Sequence, residues 1–265
     1  MQSIFQLFDH HASVRDFLIE KEIPEADVTR ITDAAQRASS SYNLQLYSIV
    51  SVTATDLRSN MSRLCGDQAF IRDASLFFVF CADLYRSGKA CEYSGYRFFQ
   101  KEYFESTLMA VIDASLSAEN AALAAEALGY GICFIGAVRD NTEEIRRLLD
   151  LPELVFPLFG LCIGYPAKRN RPKSRLPGKG VFFTNSYRKS EATEAMEKYD
   201  RTMIESGIYE NRHFPDDECE KIKEVSDALE YGWIEHSARR VSTKKSAKAR
   251  PGLRKDFEKA GFGFK

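Results

Sequence analysis

The side chains with most to offer chemically stand in two basic stations. His11, Ser13 and Arg15 alternate along His10-His11-Ala12-Ser13-Val14-Arg15-Asp16-Phe17, and Lys173 and Arg175 alternate along a proline-marked loop that runs from Tyr165 to Pro177. That loop holds five positive charges within eight positions and no acid. Residues two apart on extended chain face the same side, so each station presents donors to one point. Such a geometry suits a phosphate or a flavin's polar edge. The competing reading of the second station is a solvated charge cluster, and that of a histidine near a helix end is a cap or packing group.

Other chemistries find little support. The four histidines, at 10, 11, 213 and 236, show no metal-ligand spacing, and the six cysteines include no C-x-x-C pair. There is no G-x-S-x-G elbow and no G-x-x-x-x-G-K-[ST] loop. Gly129-Tyr130-Gly131 with Gly136 imitates a dinucleotide fingerprint, but these glycines follow a helix and open a strand, the reverse of a Rossmann unit. With no side chain able to do the chemistry alone, a bound cofactor is expected to carry the reactive atom.

The element that must position these residues runs from Glu102 to Ala137, a long apolar helix passing through a glycine hinge into a strand. From Thr107 to Leu128, 15 of 22 residues are apolar, with Ala110, Ala114, Ala118 and Ala122 on one face and Ala121 and Ala125 beside them. This helix is expected to be buried nearly all round. A membrane span is rejected because Asp113, Glu119, Asn120 and Glu126 interrupt it. Strands are expected at Leu44–Thr53, Leu76–Ala82, Ile132–Ile135 and Leu158–Gly164, the second covered on both faces. About six helices accompany them, among them one after Pro24, Asp56–Leu64, Asn141–Leu151 and Glu191–Ser206. The pattern predicts an α+β core over 1–187 followed by a C-terminal helical excursion over 188–265 that cannot form a core alone.

The chain has 265 residues, 44% hydrophobic and 28% charged, with a net charge of −1. Arg239 to Lys265 holds ten basic residues and two acids, so this tail is either a solvated segment or a surface for phosphate, nucleic acid or an acidic partner. Its aromatics, Phe257, Phe262 and Phe264, cluster at one end, which argues against nucleic acid. MQSIFQLFDHH lacks the features of a secretory signal, and Cys81, Cys133 and Cys162 lie in apolar runs. A reducing cytoplasm is the expected setting.

Several stretches, taken in order, resemble the nitroreductase family, in particular its NADPH-dependent oxygen-insensitive nitroreductase and flavin reductase P branch. They are His11-x-Ser13-Val14-Arg15-x-Phe17, Ala38-Ser39-Ser40-Ser41 with Leu44-Gln45, Gln68, Phe134-Ile135-Gly136, Phe159-Gly160-Leu161-Cys162-Ile163-Gly164-Tyr165-Pro166 and Lys173-x-Arg175-Leu176-Pro177. The resemblance spans about residues 3 to 187. It implies an FMN-dependent nitroreductase-like fold, a mostly antiparallel sheet flanked by helices, and a homodimer with the long central helix at its interface and FMN in pockets there. The small-residue stripe would suit that interface.

By the same resemblance, His11, Ser13, Arg15, Lys173 and Arg175 are expected to bind the FMN phosphate or the ring's polar edge. Ser39, Ser40, Ser41 and Gln68 would meet ribityl or ring atoms, and Phe134, Ile135 and Gly136 would line the ring. Glu105 falls where a related flavin reductase has a glutamate near the flavin, and Arg201 or Arg212 would hold the NADPH 2′-phosphate. Hydride would pass from NADPH to FMN and on to a nitroaromatic, quinone or flavin acceptor in a ping-pong cycle. Tyr42 and Asn43 depart from the smaller or apolar residues of that branch, which leaves a specialised member with one physiological acceptor as an alternative. A flavin-binding protein whose basic tail binds nucleic acid is an alternative of another class.

Overall fold

The run Leu76-Phe77-Phe78-Val79-Phe80-Cys81-Ala82 offers no polar face, and the structure covers both of its sides. The computed structural model describes residues 4–19, 21–215, 219, 222, 230–242 and 249–265. Among them, β1 (Tyr47–Ser51), β2 (Leu76–Asp83), β3 (Gly131–Ile135) and β4 (Val155–Gly164) form one sheet in the order β1-β2-β4-β3, with every neighbouring pair antiparallel. Successive side chains leave opposite faces of a strand. Phe77, Val79 and Cys81 therefore pack with Met61 of α3 (Thr55–Leu64), Ile71 of α4 (Phe70–Asp73) and Ile145 of α7 (Thr142–Leu148). Phe78 and Phe80 pack with Ile31 and Ala35 of α2 (Glu25–Gln36) and with the alanines of α6 (Phe104–Ala127). The α+β architecture expected from the sequence is the one observed.

Two strands start elsewhere than their residue types suggest. β1 begins at Tyr47, three residues after Leu44, because Tyr42, Asn43 and Gln45 take positive φ of 50°, 57° and 52° and coil the chain before it. β4 begins at Val155 and runs through Pro157. The β2–β4 register shifts between Phe80 and Cys81, whose partners are Phe159 and Pro157, so the irregularity falls where proline has no N–H to give the ladder.

The expectation of near-complete burial for the central helix is corrected. Ala110, Ala114, Ala118, Ala121, Ala122 and Ala125 are sealed against the chain's own α2 and sheet. Leu108, Ile112 and Leu116 are 40%, 44% and 43% exposed. Methyl groups allow close approach, so the small-residue stripe is consumed inside one chain and cannot be the face offered to a second copy. Among the described residues, α6 is the one helix long and apolar enough to cross a membrane, and half of its apolar window is buried in this fold.

The end of the chain is also not the solvated basic segment weighed above. In α10 (Leu253–Lys259) and the residues after it, Phe257, Ala260 and Phe262 are buried, and Phe257 stacks on Phe156 with ring centroids 3.6 Å apart. The Leu154 amide donates to Ala260 O at 2.7 Å and the Gly263 amide to Lys101 O at 2.8 Å. Arg250 pairs with Asp140, Lys259 with Glu143 and Lys265 with Glu102. Residues 243–248 of the basic tail lie outside the described residues.

The chain forms two compact units, Met1–Pro172 with Arg250–Lys265, and Lys173–Ala249. The expected boundary at 187/188 thus compares with an observed division at 172/173 and a return at 250. In the second unit, α8 (Lys189–Glu205) buries Ala195, Tyr199 and Met203, and Tyr199 meets Trp233 of α9 (Trp233–Ser242) edge to face at 5.4 Å. Asp200 accepts the Ile234 amide at 2.7 Å, closing the first turn of α9.

Candidate functional site

The first basic station is an extended elbow laid against the sheet. After α1 (Ile4–His10), the Val14 amide donates to Ile132 O, the Leu18 amide to Tyr165 O and the Ala167 amide to Asp16 O, each at 2.8 Å. Val14 and Phe17 point into the core, whereas Arg15 is exposed. Glycine at 131 is what permits this approach, because a Cβ there would come within 2.7 Å of the Val14 side chain. Asn170 Nδ2 donates to Ser13 O at 2.7 Å, and His11 Nδ1 lies 2.9 Å from Glu126 Oε2. Arg15 has no hydrogen-bond or ion-pair partner among the described residues.

The serine stretch is held differently. Asp113, fully buried on α6, accepts the Ser41 amide at 2.9 Å through Oδ1 and the Leu46 amide at 3.0 Å through Oδ2. Between these anchors lie the three residues of positive φ, a conformation that costs a side-chain-bearing residue about 1–2 kcal/mol. Arg86 of α5 (Tyr85–Tyr93) braces the far end, donating to Gln45 O and to Asp83 Oδ2, each at 2.7 Å. Tyr42, at the crest, is 90% exposed. Ser39 is exposed and Ser40 half-buried. Gln68 follows a turn with positive φ at Gly66 and Asp67, and its side-chain nitrogen donates to Cys65 O.

At the end of β3, Phe134 is the strand's one exposed residue and meets Phe159 edge to face at 5.8 Å. Ile135 turns its side chain into the core, so its backbone is what it can offer a ligand. Gly136 O already accepts Arg250 Nη2 at 3.1 Å. Glu105 is exposed on the first turn of α6. Thiol chemistry finds no support nearby: burial pushes the Cys133 thiol up against the pull of Arg15, and pushes Cys65 up to about 12, so both stay protonated at neutral pH.

The second station lies in the second unit, around a cavity of about 370 Å³ whose walls include Lys173, Arg175, Arg212, Tyr199, Tyr209 and Trp233. Arg175 Nη1 donates to Lys173 O, and the Tyr199 hydroxyl donates to Ser174 O, each at 2.9 Å, fixing the loop. The Lys173 ammonium has no hydrogen-bond or ion-pair partner among the described residues. Of the two arginines proposed for a 2′-phosphate, Arg212 shares this wall and Arg201 does not. His236, also on the wall, has its pKa lowered by burial and by the neighbouring His213 and Arg240 charges.

Two anchors were not recognised in the sequence as parts of a site. Asp113 and Glu126 register there as interruptions of an apolar helix, and that interruption is the signal: a charge within such a helix needs a partner, and both partners belong to site segments.

Known proteins resemble this chain over most of its length. The model of the nitroreductase family matches residues 9–165, and that of the nitroreductase family C-terminal domain matches 173–265. The chain is 34% identical over 215 residues to an FMN reductase (NADPH) of Bacillus subtilis (strain 168), covering 80% of this chain and 85% of the relative. It is 40% identical over 210 residues to a CR(VI) reductase of Pseudomonas sp. (strain G-1), covering 78% and 84%. The structure of NfrA2 from B. megaterium superposes over 100% of both chains with a TM-score of 0.87 and 31% identity. With both halves matched, this chain belongs to the nitroreductase family.

Proposed function

We propose that the protein is an NADPH-dependent FMN oxidoreductase that reduces nitroaromatic, quinone or flavin acceptors. The observation that carries this is that Arg15 and Lys173 each lack a hydrogen-bond or ion-pair partner among the described residues, on segments whose backbone is fixed by hydrogen bonds. The donor set fits FMN: ammonium and guanidinium groups for a phosphate, Ser13 and the serines at 39–41 for hydroxyls, and an exposed aromatic, Phe134, for the ring. Bound FMN supplies the hydride-accepting ring that no side chain here replaces.

In this reading His11, Ser13, Arg15, Lys173 and Arg175 bind the phosphate or the polar ring edge. Fixed positive charge beside an edge that gains electrons lowers the cost of reduction. Ser39, Ser40, Ser41 and Gln68 orient the cofactor, Phe134, Ile135 and Gly136 border the ring, and Glu105 lies near it. Arg212 is favoured over Arg201 for the NADPH 2′-phosphate by its place on the wall beside Lys173 and Arg175. One site serving donor and acceptor in turn gives ping-pong kinetics. The uncovered Leu108, Ile112 and Leu116 on α6 supply the face for a homodimer. Six free cysteines, four of them buried, suit a cytoplasmic setting.

A second reading, a member specialised for one acceptor, is favoured by the strained and exposed Tyr42-Asn43 crest, which places a bulky phenol on the loop. Lys173→Ala with Arg175→Ala tests the assignment. The purified chain is expected to be yellow and to oxidise NADPH faster than NADH with a quinone, giving parallel double-reciprocal lines. The double variant is expected to lose most of its flavin. Unchanged flavin content and turnover would remove the second station from the site, and one acceptor turned over far faster than all others would favour the specialised reading.

A further inference from the structure

Glu126 occupies the last turn of α6, where the negative end of the helix dipole disfavours a carboxylate and where no basic residue of the helix balances it. Its side chain is only 9% exposed, and Oε2 meets His11 Nδ1 at 2.9 Å, across 115 positions of sequence. His11 itself is 30% exposed. The backbone just beyond it is already fixed, by Val14 N to Ile132 O and by Asn170 to Ser13 O. The backbone bonds leave the orientation of the imidazole open, and the carboxylate closes it.

We infer that Glu126 is a positioning residue for cofactor binding, acting through His11. Resting on the reading of His11 as an FMN contact, the assignment gives the carboxylate two tasks. It accepts a hydrogen bond from Nδ1–H and so fixes the tautomer, which leaves Nε2 as an acceptor for a ribityl hydroxyl or the ring's N3–H. It also fixes the ring's rotation, so that Nε2 meets the ligand without first losing rotamer freedom. Orientation of a ligating imidazole by a carboxylate on its other nitrogen is a general device, best known at metal sites.

The test is a double-mutant cycle on the full-length chain freed of flavin and titrated with FMN, read by quenching of FMN fluorescence. The His11 ring 15N shifts are followed in the same flavin-free samples. Glu126→Ala is expected to weaken FMN binding about tenfold, as for loss of one charge-assisted hydrogen bond, and to turn the His11 ring from a single tautomer into a mixture. Glu126→Gln, which retains an acceptor oxygen, is expected to keep the tautomer and to bind within about threefold of the parent. In a His11→Ala background the Glu126→Ala change is expected to add less than about twofold, because coupled residues lose their effects together.

Equal Glu126→Ala losses with and without His11, or unaltered 15N shifts in Glu126→Ala, would overturn the assignment. Should Glu126→Ala fold poorly, Glu126→Gln decides through the 15N shifts: loss of the single tautomer there overturns it. If His11→Ala weakens FMN binding and Glu126→Ala does not, the positioning role alone falls. If His11→Ala leaves FMN affinity unchanged, the cofactor role of His11 falls, and the positioning role with it.

Discussion

Asp113 holds Ser41 by its backbone, Oδ1 to amide nitrogen at 2.9 Å, while its other oxygen holds Leu46 at 3.0 Å. A single buried carboxylate therefore clamps both ends of a loop whose interior residues occupy the left-handed region. Strain of this kind persists only where surrounding contacts over-determine it.

Asp113→Asn keeps one acceptor and turns an NH2 group toward the other amide. Folding stability is expected to fall by about 1–3 kcal/mol, the cost of a buried donor left unsatisfied. Urea midpoints measure this, and protease cleavage between Ser41 and Leu46 is expected to speed up. An unaltered cleavage rate would mean that Arg86 holds the loop without help.

Charging the uncovered face of α6 tests its role. Ile112→Glu with Leu116→Glu is expected to leave the chain folded, since both positions are more than 40% exposed, and to convert a dimer into a monomer by light scattering. The parent chain scattering as a monomer would remove this face as an interface.

The returning C-terminal segment is a stability element. Phe257→Ala removes a ring packed on Phe156 and Phe262 and is expected to cost about 3–5 kcal/mol in urea denaturation. Little change in stability, with salt-dependent retention on nucleic acid lost on deleting the tail, would instead support the basic tail as a working surface.

His236 makes the second unit acid-sensitive. Burial lowers its pKa from 6.5, so the unfolded chain binds the proton more readily than the folded one, and stability is lost as pH falls below about 6.5 toward the folded value. Trp233 is the sole tryptophan and sits in the same unit, so its fluorescence reports that unit locally. The urea midpoint read from Trp233 is expected to be lower at pH 5 than at pH 7.5, and His236→Gln should flatten the difference. A midpoint rising toward pH 5 would reverse the sign.

The sequence by itself determined the four strands and the helices α2, α3, α6, α7 and α8, because period and composition are local: Leu76–Ala82 is apolar throughout and must be covered on both faces, and the alanines of α6 recur at helical spacing. The elbow and the loop at Lys173 were legible too, as alternating donors, the loop without neighbouring acids, and so was the family, from short motifs in order. What spacing cannot encode is which distant group a side chain meets. That Asp113 clamps Ser41, that Glu126 holds His11, and that the leucine side of α6, not its alanine side, stays uncovered were decided by tertiary packing. The same holds for Phe257, which reads as part of a charged tail until Phe156 is seen beneath it. β1 gives the physical reason most plainly: Leu44 and Gln45 carry no local signal against a strand, and one carboxylate on α6, together with Arg86, draws the chain into the left-handed region before the strand can start.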